Sequence, residues 1–250
     1  MPTWVDTHCH LDAAEFDADR QGVVAMARAA GVTTVVVPSV ESGNFPAVAR
    51  LCRDTPGCLP AYGIHPLYVD RANEAHLPAL REFLQDNAAV AVGEIGLDFF
   101  VQPCDPLRQE HFLVEQLKIA RDLQLPVLLH VRRAVDAVLK QLRRIPVVGG
   151  IAHAFNGSRV QAEQFMAMGF KLGFGGACTF DRATRLRELA RTLPLESIVV
   201  ETDAPDIPPA WLAGKRNQPA ELPRIGAAIA VVVGHARLRG GARESGAAAG

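Results

Sequence analysis

Apolar residues along this chain gather into eight short runs, at residues 4–10, 32–37, 59–64, 89–94, 126–130, 150–153, 170–174 and 197–203. Several are rich in Val and Ile, and some are apolar at consecutive positions, as at Val35, Val36 and Val37. A strand that is apolar on both faces belongs in a parallel sheet covered by helices. The segments between the runs have helical spacing. Residues 18–30 carry Val23, Val24, Met26 and Ala27 beside Asp19, Arg20 and Arg28. Residues 106–123 carry Phe112, Leu113, Leu117 and Ile119 among Glu110, Glu115, Lys118 and Arg121, an apolar stripe on a charged helix. Residues 135–142 and 160–168 repeat the pattern, and Gly31 and Gly169 stand where C-terminal caps belong. Eight alternating units predict an α/β fold of the (β/α)8 TIM-barrel type, a parallel eight-stranded barrel with outer helices.

Length and composition agree with one such barrel: the chain has 250 residues and is 49% hydrophobic. No linker-like stretch interrupts it, so residues 1–236 read as one barrel domain, with a final helix at 225–234. The Gly/Ala/Arg-rich residues 237–250 have little to bury and read as a disordered tail. The formal net charge is −1, which argues against a broad electrostatic grip on nucleic acid. A nucleic-acid substrate is then expected to be held over a few nucleotides near an end. Five cysteines without a CxxC pair suggest neither a disulfide framework nor a zinc knuckle. The first residues show no basic region followed by an apolar stretch, and no apolar segment approaches about 20 residues, so neither a leader peptide nor a membrane span is expected. The expectation is a cytoplasmic protein, away from membranes and monomeric by default.

Candidate chemistry sits on the strand runs. His8, His10, Glu94, His130, His153 and Asp203 each fall at or just past the end of a run. Imidazoles and carboxylates are the usual ligands of a catalytic divalent cation, and strand ends are where such barrels assemble active sites. His8 and His10, two apart on a strand, face one way. Cys9 then faces the core, and Asp6, on the histidines' side, is placed to orient one of them. His76, His111 and His235 lie in helical or loop stretches, where surface or packing roles are expected. Six ligands exceed what one four-coordinate zinc with an open position needs, so two cations are expected, bridged by the Glu94 carboxylate. Water held by such ions is acidified from a pKa of 15.7 to about 7, and Asp203 is placed to take its proton. His65, ending its own run, and Arg132, two residues past His130, are placed for a phosphate, Arg132 in bidentate fashion.

These strings resemble the TatD-like metal-dependent hydrolases, the TatD-type deoxyribonucleases. The matching motifs are Asp-Thr-His-Cys-His-Leu at 6–11, Gly-Ile-His-Pro at 63–66, Gly-Glu-Ile-Gly-Leu-Asp at 93–98, His-Val-Arg at 130–132, His-Ala-Phe-Asn-Gly at 153–157 and Glu-Thr-Asp-Ala-Pro at 201–205. Arg216, Asn217 and Pro219 match a further element. The resemblance implies an amidohydrolase-type barrel with metal ligands His8, His10, Glu94, His130, His153 and Asp203. It also implies hydrolysis of DNA phosphodiester bonds, often from a 3′ end, with His65 and Arg132 near the substrate phosphate. Magnesium is associated with that activity, but four histidines favour Zn²⁺, Mn²⁺, Ni²⁺ or Co²⁺ by ligand softness, so the metal stays open. The C-terminus departs from the family pattern, which implies a shortened or replaced last helix. Two other readings remain: an amidohydrolase acting on a C–N or ester bond such as an aminoacyl ester, and a non-catalytic metal-binding protein. Amidohydrolases of that kind often bridge their metals through a carboxylated lysine. Here Lys118, Lys140, Lys171 and Lys215 end no expected strand, which favours phosphoester cleavage.

Overall fold

The computed structural model describes residues 3–244, with side chains through Gly234. Eight strands form one parallel sheet in sequential order: β1 (Trp4–Asp6), β2 (Val32–Pro38), β3 (Cys58–Tyr62), β4 (Ala91–Asp98), β5 (Val127–Arg132), β6 (Gly150–Ala152), β7 (Phe170–Phe174) and β8 (Ile198–Val200). Past the end of β8 the chain returns to the first strand. The Thr7 amide donates to Val200 O at 3.3 Å and the Asp203 amide to His8 O at 2.9 Å. The sheet is thereby curled into a nearly closed barrel with helices between its strands.

The helices are α1 (Arg20–Ala29), α2 (Phe45–Asp54), α3 (His76–Asp86), α4 (Pro106–Leu123), α5 (Val135–Arg144), α6 (Arg159–Ala167), α7 (Thr184–Thr192) and α8 (Leu222–Glu244). Local chemistry sets their ends. At α4, Asp105 accepts the Leu107 and Arg108 amides and Pro106 opens the helix, where its missing N–H costs nothing. Ser158 and Gln161 form a reciprocal capping box at α6. Alternation along β2 sorts the core into two layers. Val35 and Val37 join the large cluster under the helices, while Val36 packs with Ala61, Ala91 and Leu128 from the next three strands. This second cluster fills the barrel interior below the site.

Three features differ from the sequence expectation. The first and last strands are short: β1 stops at Asp6 and β8 at Val200, so His8, His10 and Asp203 ride on the loops beyond. Helices α2, α3 and α7 were not singled out in the sequence, although α2 buries Phe45, Val48 and Cys52 and α3 buries Leu77, Leu80 and Leu84 at helical spacing. α7 buries only Leu189 and Ala190, among Arg185, Arg187, Glu188 and Arg191. Lastly, the final helix is not shortened. Leu222, Ile225, Ile229 and Val232 are buried at helical spacing, and the helical backbone runs on to Glu244, in keeping with the helix propensity of Ala and Arg. The stretch read as a disordered tail therefore falls partly on helix and partly, at 245–250, outside the described residues. Among the described residues no helix is long and apolar enough to cross a membrane.

Candidate metal centre

Glu94 sits within β4, where the β4–β5 register shifts between Val92 and Ile95. Gly96 makes this possible. Its φ is +150°, and a Cβ there would lie 1.9 Å from His130 O, so only glycine lets β5 run this close. The Glu94 carboxylate is 1% exposed at the centre of a cavity of ≈ 1240 Å³ that opens at the C-terminal mouth of the barrel.

Donor atoms divide between its two oxygens. Near Oε2 lie His8 Nε2 at 3.1 Å and His10 Nε2 at 3.3 Å. Asp203 Oδ1 is 3.6 Å from the former and 3.8 Å from the latter. Near Oε1 lie His153 Nε2 at 3.0 Å and His130 Nδ1 at 3.1 Å. All six residues expected as ligands thus meet at one place, with the donors in overlapping groups: His8 with Glu94 and His153, His8 with His10 and Asp203, and His65 with Glu94 and His130.

The spacing fits cations. Four donors about 2.1 Å from one tetrahedral ion stand about 3.4 Å apart, and adjacent octahedral donors about 3.0 Å apart. His8 Nε2 and His10 Nε2 are separated by 3.3 Å, and His153 Nε2 and His130 Nδ1 by 3.4 Å. Glu94 Oε2 is buried and accepts no hydrogen bond, although two imidazole nitrogens stand at ion-pair distance. A buried carboxylate oxygen without a donor is costly, and a cation beside it removes that cost. Charge makes the same demand. Burial works to raise the Glu94 acid, yet the imidazoles packed against it, those of His8 and His153 first, hold it well below the usual range. Burial likewise disfavours protonated His10, but the negative charge of Glu94 and Asp203 beside it pushes it up to about 9. The cluster attracts positive charge, as protons or as metal.

The supporting shell fixes the rings. His130 presents Nδ1 to Glu94 because its Nε2 is held by Asp98 Oδ2 at 2.9 Å. Glu201, also 1% exposed, lies 3.6 Å from His153 Nδ1 and accepts the Ala154 amide. Asp203 has φ +56°, a conformation unfavourable for a side chain larger than Gly, and its loop is clamped by Asn217. The fully buried Asn217 donates to Thr202 O at 2.8 Å, Asp206 O at 3.0 Å and Ile207 O at 3.3 Å. Sequence reading gave no role to Asp98, Glu201 or Asn217. The available signal was spacing: Asp98 is four residues past Glu94 on the same strand, and Glu201 two before Asp203.

The outer groups behave differently from one another. His65 Nε2 is 3.6 Å from Glu94 Oε1, and its Nδ1 accepts the Leu67 amide at 3.2 Å. Burial holds it neutral, well below the usual imidazole range, so Nε2 carries the proton and donates. Arg132 lies on the cavity wall with its Cζ 3.9 Å from the Phe100 ring centroid. Asp6 does not orient a histidine ring. It accepts the Thr202 amide and hydroxyl at 2.9 and 2.6 Å and the His8 amide at 3.4 Å, because the chain leaves β1 at this point and the carboxylate turns toward the last strand. It fastens backbone there, and burial pushes its acid up to about 7. Cys9 is buried and donates to Ala204 O, facing away from the cluster.

A family profile described as TatD related DNase matches residues 5–237. The chain is 39% identical over 230 residues, 90% of its length and 88% of the relative, to an uncharacterized metal-dependent hydrolase, YjjV, of Escherichia coli. It is 36% identical over 228 residues, covering 88% of each chain, to a 3′-5′ ssDNA/RNA exonuclease TatD of a Pantoea species. The crystal structure of Escherichia coli YjjV, a TatD homolog, superposes with a TM-score of 0.89 at 38% identity, covering 92% of this chain and 90% of that one.

Proposed function

The chain belongs to the TatD-related DNase family of metal-dependent hydrolases, and on that premise we propose that it hydrolyses phosphodiester bonds of DNA, removing nucleotides from 3′ ends of strands or short oligonucleotides. The observation that carries this reading is the division of donors around Glu94: two sets of imidazole and carboxylate groups share one carboxylate, each set spaced for a cation. His8, His10, Asp203 and Glu94 would hold one divalent ion, and His130, His153 and Glu94 the other. When bound, such ions supply Lewis acidity and lower the pKa of water.

The chain's own groups do the rest. Glu94, ionised despite its burial, holds the two sets of donors in fixed relation and contributes charge on both sides. Asp203, which lines the cavity, accepts the proton released as water attacks phosphorus, while the P–O bond to the 3′ oxygen of the preceding nucleotide breaks and that oxygen leaves as a hydroxyl, protonated from solvent. The strained backbone at Asp203 keeps its carboxylate turned toward His8 and His10. His65 donates its Nε2 proton to a non-bridging phosphoryl oxygen, and the Arg132 guanidinium, rigid and permanently charged, aligns the phosphate. Both are fixed before substrate arrives, so little reorganisation is needed in the transition state. The amide or ester alternative finds no strand-borne lysine at the site: Lys171, in β7, is exposed and donates to Glu196 O.

The test is product analysis. Metal-reconstituted protein is incubated with a short oligodeoxynucleotide and, in parallel, with a panel of cyclic amides and aminoacyl esters. Nucleoside monophosphates released from the oligonucleotide, with the panel left intact, is the expected result. Turnover of the panel with an intact oligonucleotide contradicts the reading.

A further inference from the structure

Two cations and one aromatic ring at the cavity wall have no part in holding metal. Phe100 follows β4 and is 42% exposed. The guanidinium carbons of Arg132 and Arg133 lie 3.9 and 4.6 Å from its ring centroid. All three residues line the same cavity as Glu94. Consecutive residues leaving a strand normally point to opposite sides. Arg133 escapes that rule because its φ is +55°, and this left-handed turn brings its side chain back to the ring that Arg132 already covers. Among the described residues neither arginine forms an ion pair. Two like charges drawn together without a carboxylate repel each other, and a bound anion relieves them.

The loop is also fixed to the metal centre. Asp98 Oδ1 accepts the Phe100 and Val101 amides at 2.8 and 3.0 Å while its Oδ2 holds His130. A ring anchored in this way is a rigid surface rather than a mobile tip.

We propose that Phe100, Arg132 and Arg133 form a subsite for the nucleotide on the 5′ side of the scissile phosphate, its base stacking on the ring–guanidinium layer and its own phosphate neutralised by Arg133, while Arg132 stays with the scissile phosphate. Exposed aromatic rings interleaved with cations are how single strands are held without reading their sequence, and guanidinium planes stack as aromatic rings do. The subsite takes an unpaired base, since a base inside a duplex offers no free face. The proposal rests on the phosphodiesterase reading, and it names the part of the substrate that this reading leaves open.

The experiment measures binding by fluorescence anisotropy, using a short fluorescein-labelled oligodeoxynucleotide with phosphorothioate linkages that resist cleavage. A second probe carries an abasic residue at the penultimate position from the 3′ end. Phe100→Ala is expected to weaken binding of the intact probe by about tenfold, within the range for one stacked base. The abasic probe is expected to lose a similar factor with the wild-type protein and nothing further with Phe100→Ala, the signature of two changes removing one contact. Arg133→Gly, which keeps the left-handed backbone accessible, is expected to weaken both probes. Melting temperatures show whether each variant is folded. Affinity unchanged in Phe100→Ala, or losses that multiply, overturns the subsite. Cleavage of an unmodified oligonucleotide by the wild-type protein separates the two ideas. Cleavage with Phe100-independent binding leaves the phosphodiesterase reading standing and removes the subsite. Absent cleavage with Phe100-dependent binding does the reverse.

Discussion

Replacing Asn217 with Ala should loosen the loop that carries Asp203, and the structure gives the size of the effect. The side chain is fully buried, its amide serves three carbonyls, and its Oδ1 accepts the Gln218 amide at 2.9 Å. Each buried polar group left without a partner costs about 1–3 kcal/mol. The three carbonyls share one amide, so their costs do not add, and water entering the vacated space recovers part of the loss. A net destabilisation of about 2–4 kcal/mol follows, or a fall in melting temperature of about 4–16 °C for a chain of this size. Thr202 and Asp206 flank Asp203, so the damage should reach the metal centre as well, lowering bound metal and kcat together. Asn217→Asp is the sharper control. It keeps the volume but turns an acceptor toward carbonyl oxygens, and it should be at least as harmful. The assay is calorimetric melting of both variants, with metal content measured on the same samples. A melting temperature within about 1 °C of wild type in both, where one lost hydrogen bond alone should exceed that, would refute the clamp.

Other predictions follow from neighbouring contacts. Gly173→Ala puts a Cβ 2.1 Å from Glu201 Oε2, so Glu201 must leave His153 and the Ala154 amide. Overpacking of this kind costs about 1–3 kcal/mol, read as a lower melting temperature together with reduced metal content. Asp98→Asn places an amide against His130 Nε2 and favours the tautomer whose Nδ1 carries a proton. Metal affinity measured by competition with a chelator should fall about 10–100-fold, and an unchanged affinity would exclude the proposed orientation of His130. Oligonucleotide binding should depend only weakly on salt. With two arginine–phosphate contacts, the slope of log K against log salt concentration is expected near −1.4, and a slope steeper than about −4 would mean a much wider basic track than this surface offers.

How far the sequence reveals this site depends on which interactions are local. Periodicity located the strands and α4 because a both-face-apolar run and an amphipathic stripe are properties of neighbouring residues. It passed over α2, α3 and α7, which are 10, 11 and 9 residues long against 18 for α4 and so repeat their apolar positions over fewer turns. The five donors around Glu94 were legible as residue types at the ends of runs. Their arrangement around the carboxylate was not, since it arises from the register shift between Val92 and Ile95 and the curl of the barrel. Asp6 shows the same limit. Its spacing from His8 was read correctly, but the backbone leaves the strand at that residue, so the carboxylate ties two distant loops instead of orienting a ring. Asn217 acts on Thr202 and Asp206 across a turn, and no periodicity carries that information. The Phe100–Arg133 contact hinges on a single left-handed residue, which nothing in the composition marks.

Metal stoichiometry of the wild-type protein and of Glu94→Gln, measured by elemental analysis after reconstitution and gel filtration, bears most directly on the shared carboxylate. Two divalent ions per wild-type chain are predicted, and one or none retained in a Glu94→Gln variant that melts near the wild-type temperature. A wild-type chain that saturates at a single ion, or a variant that still holds both, would contradict the assignment of Glu94 as the group common to two cations.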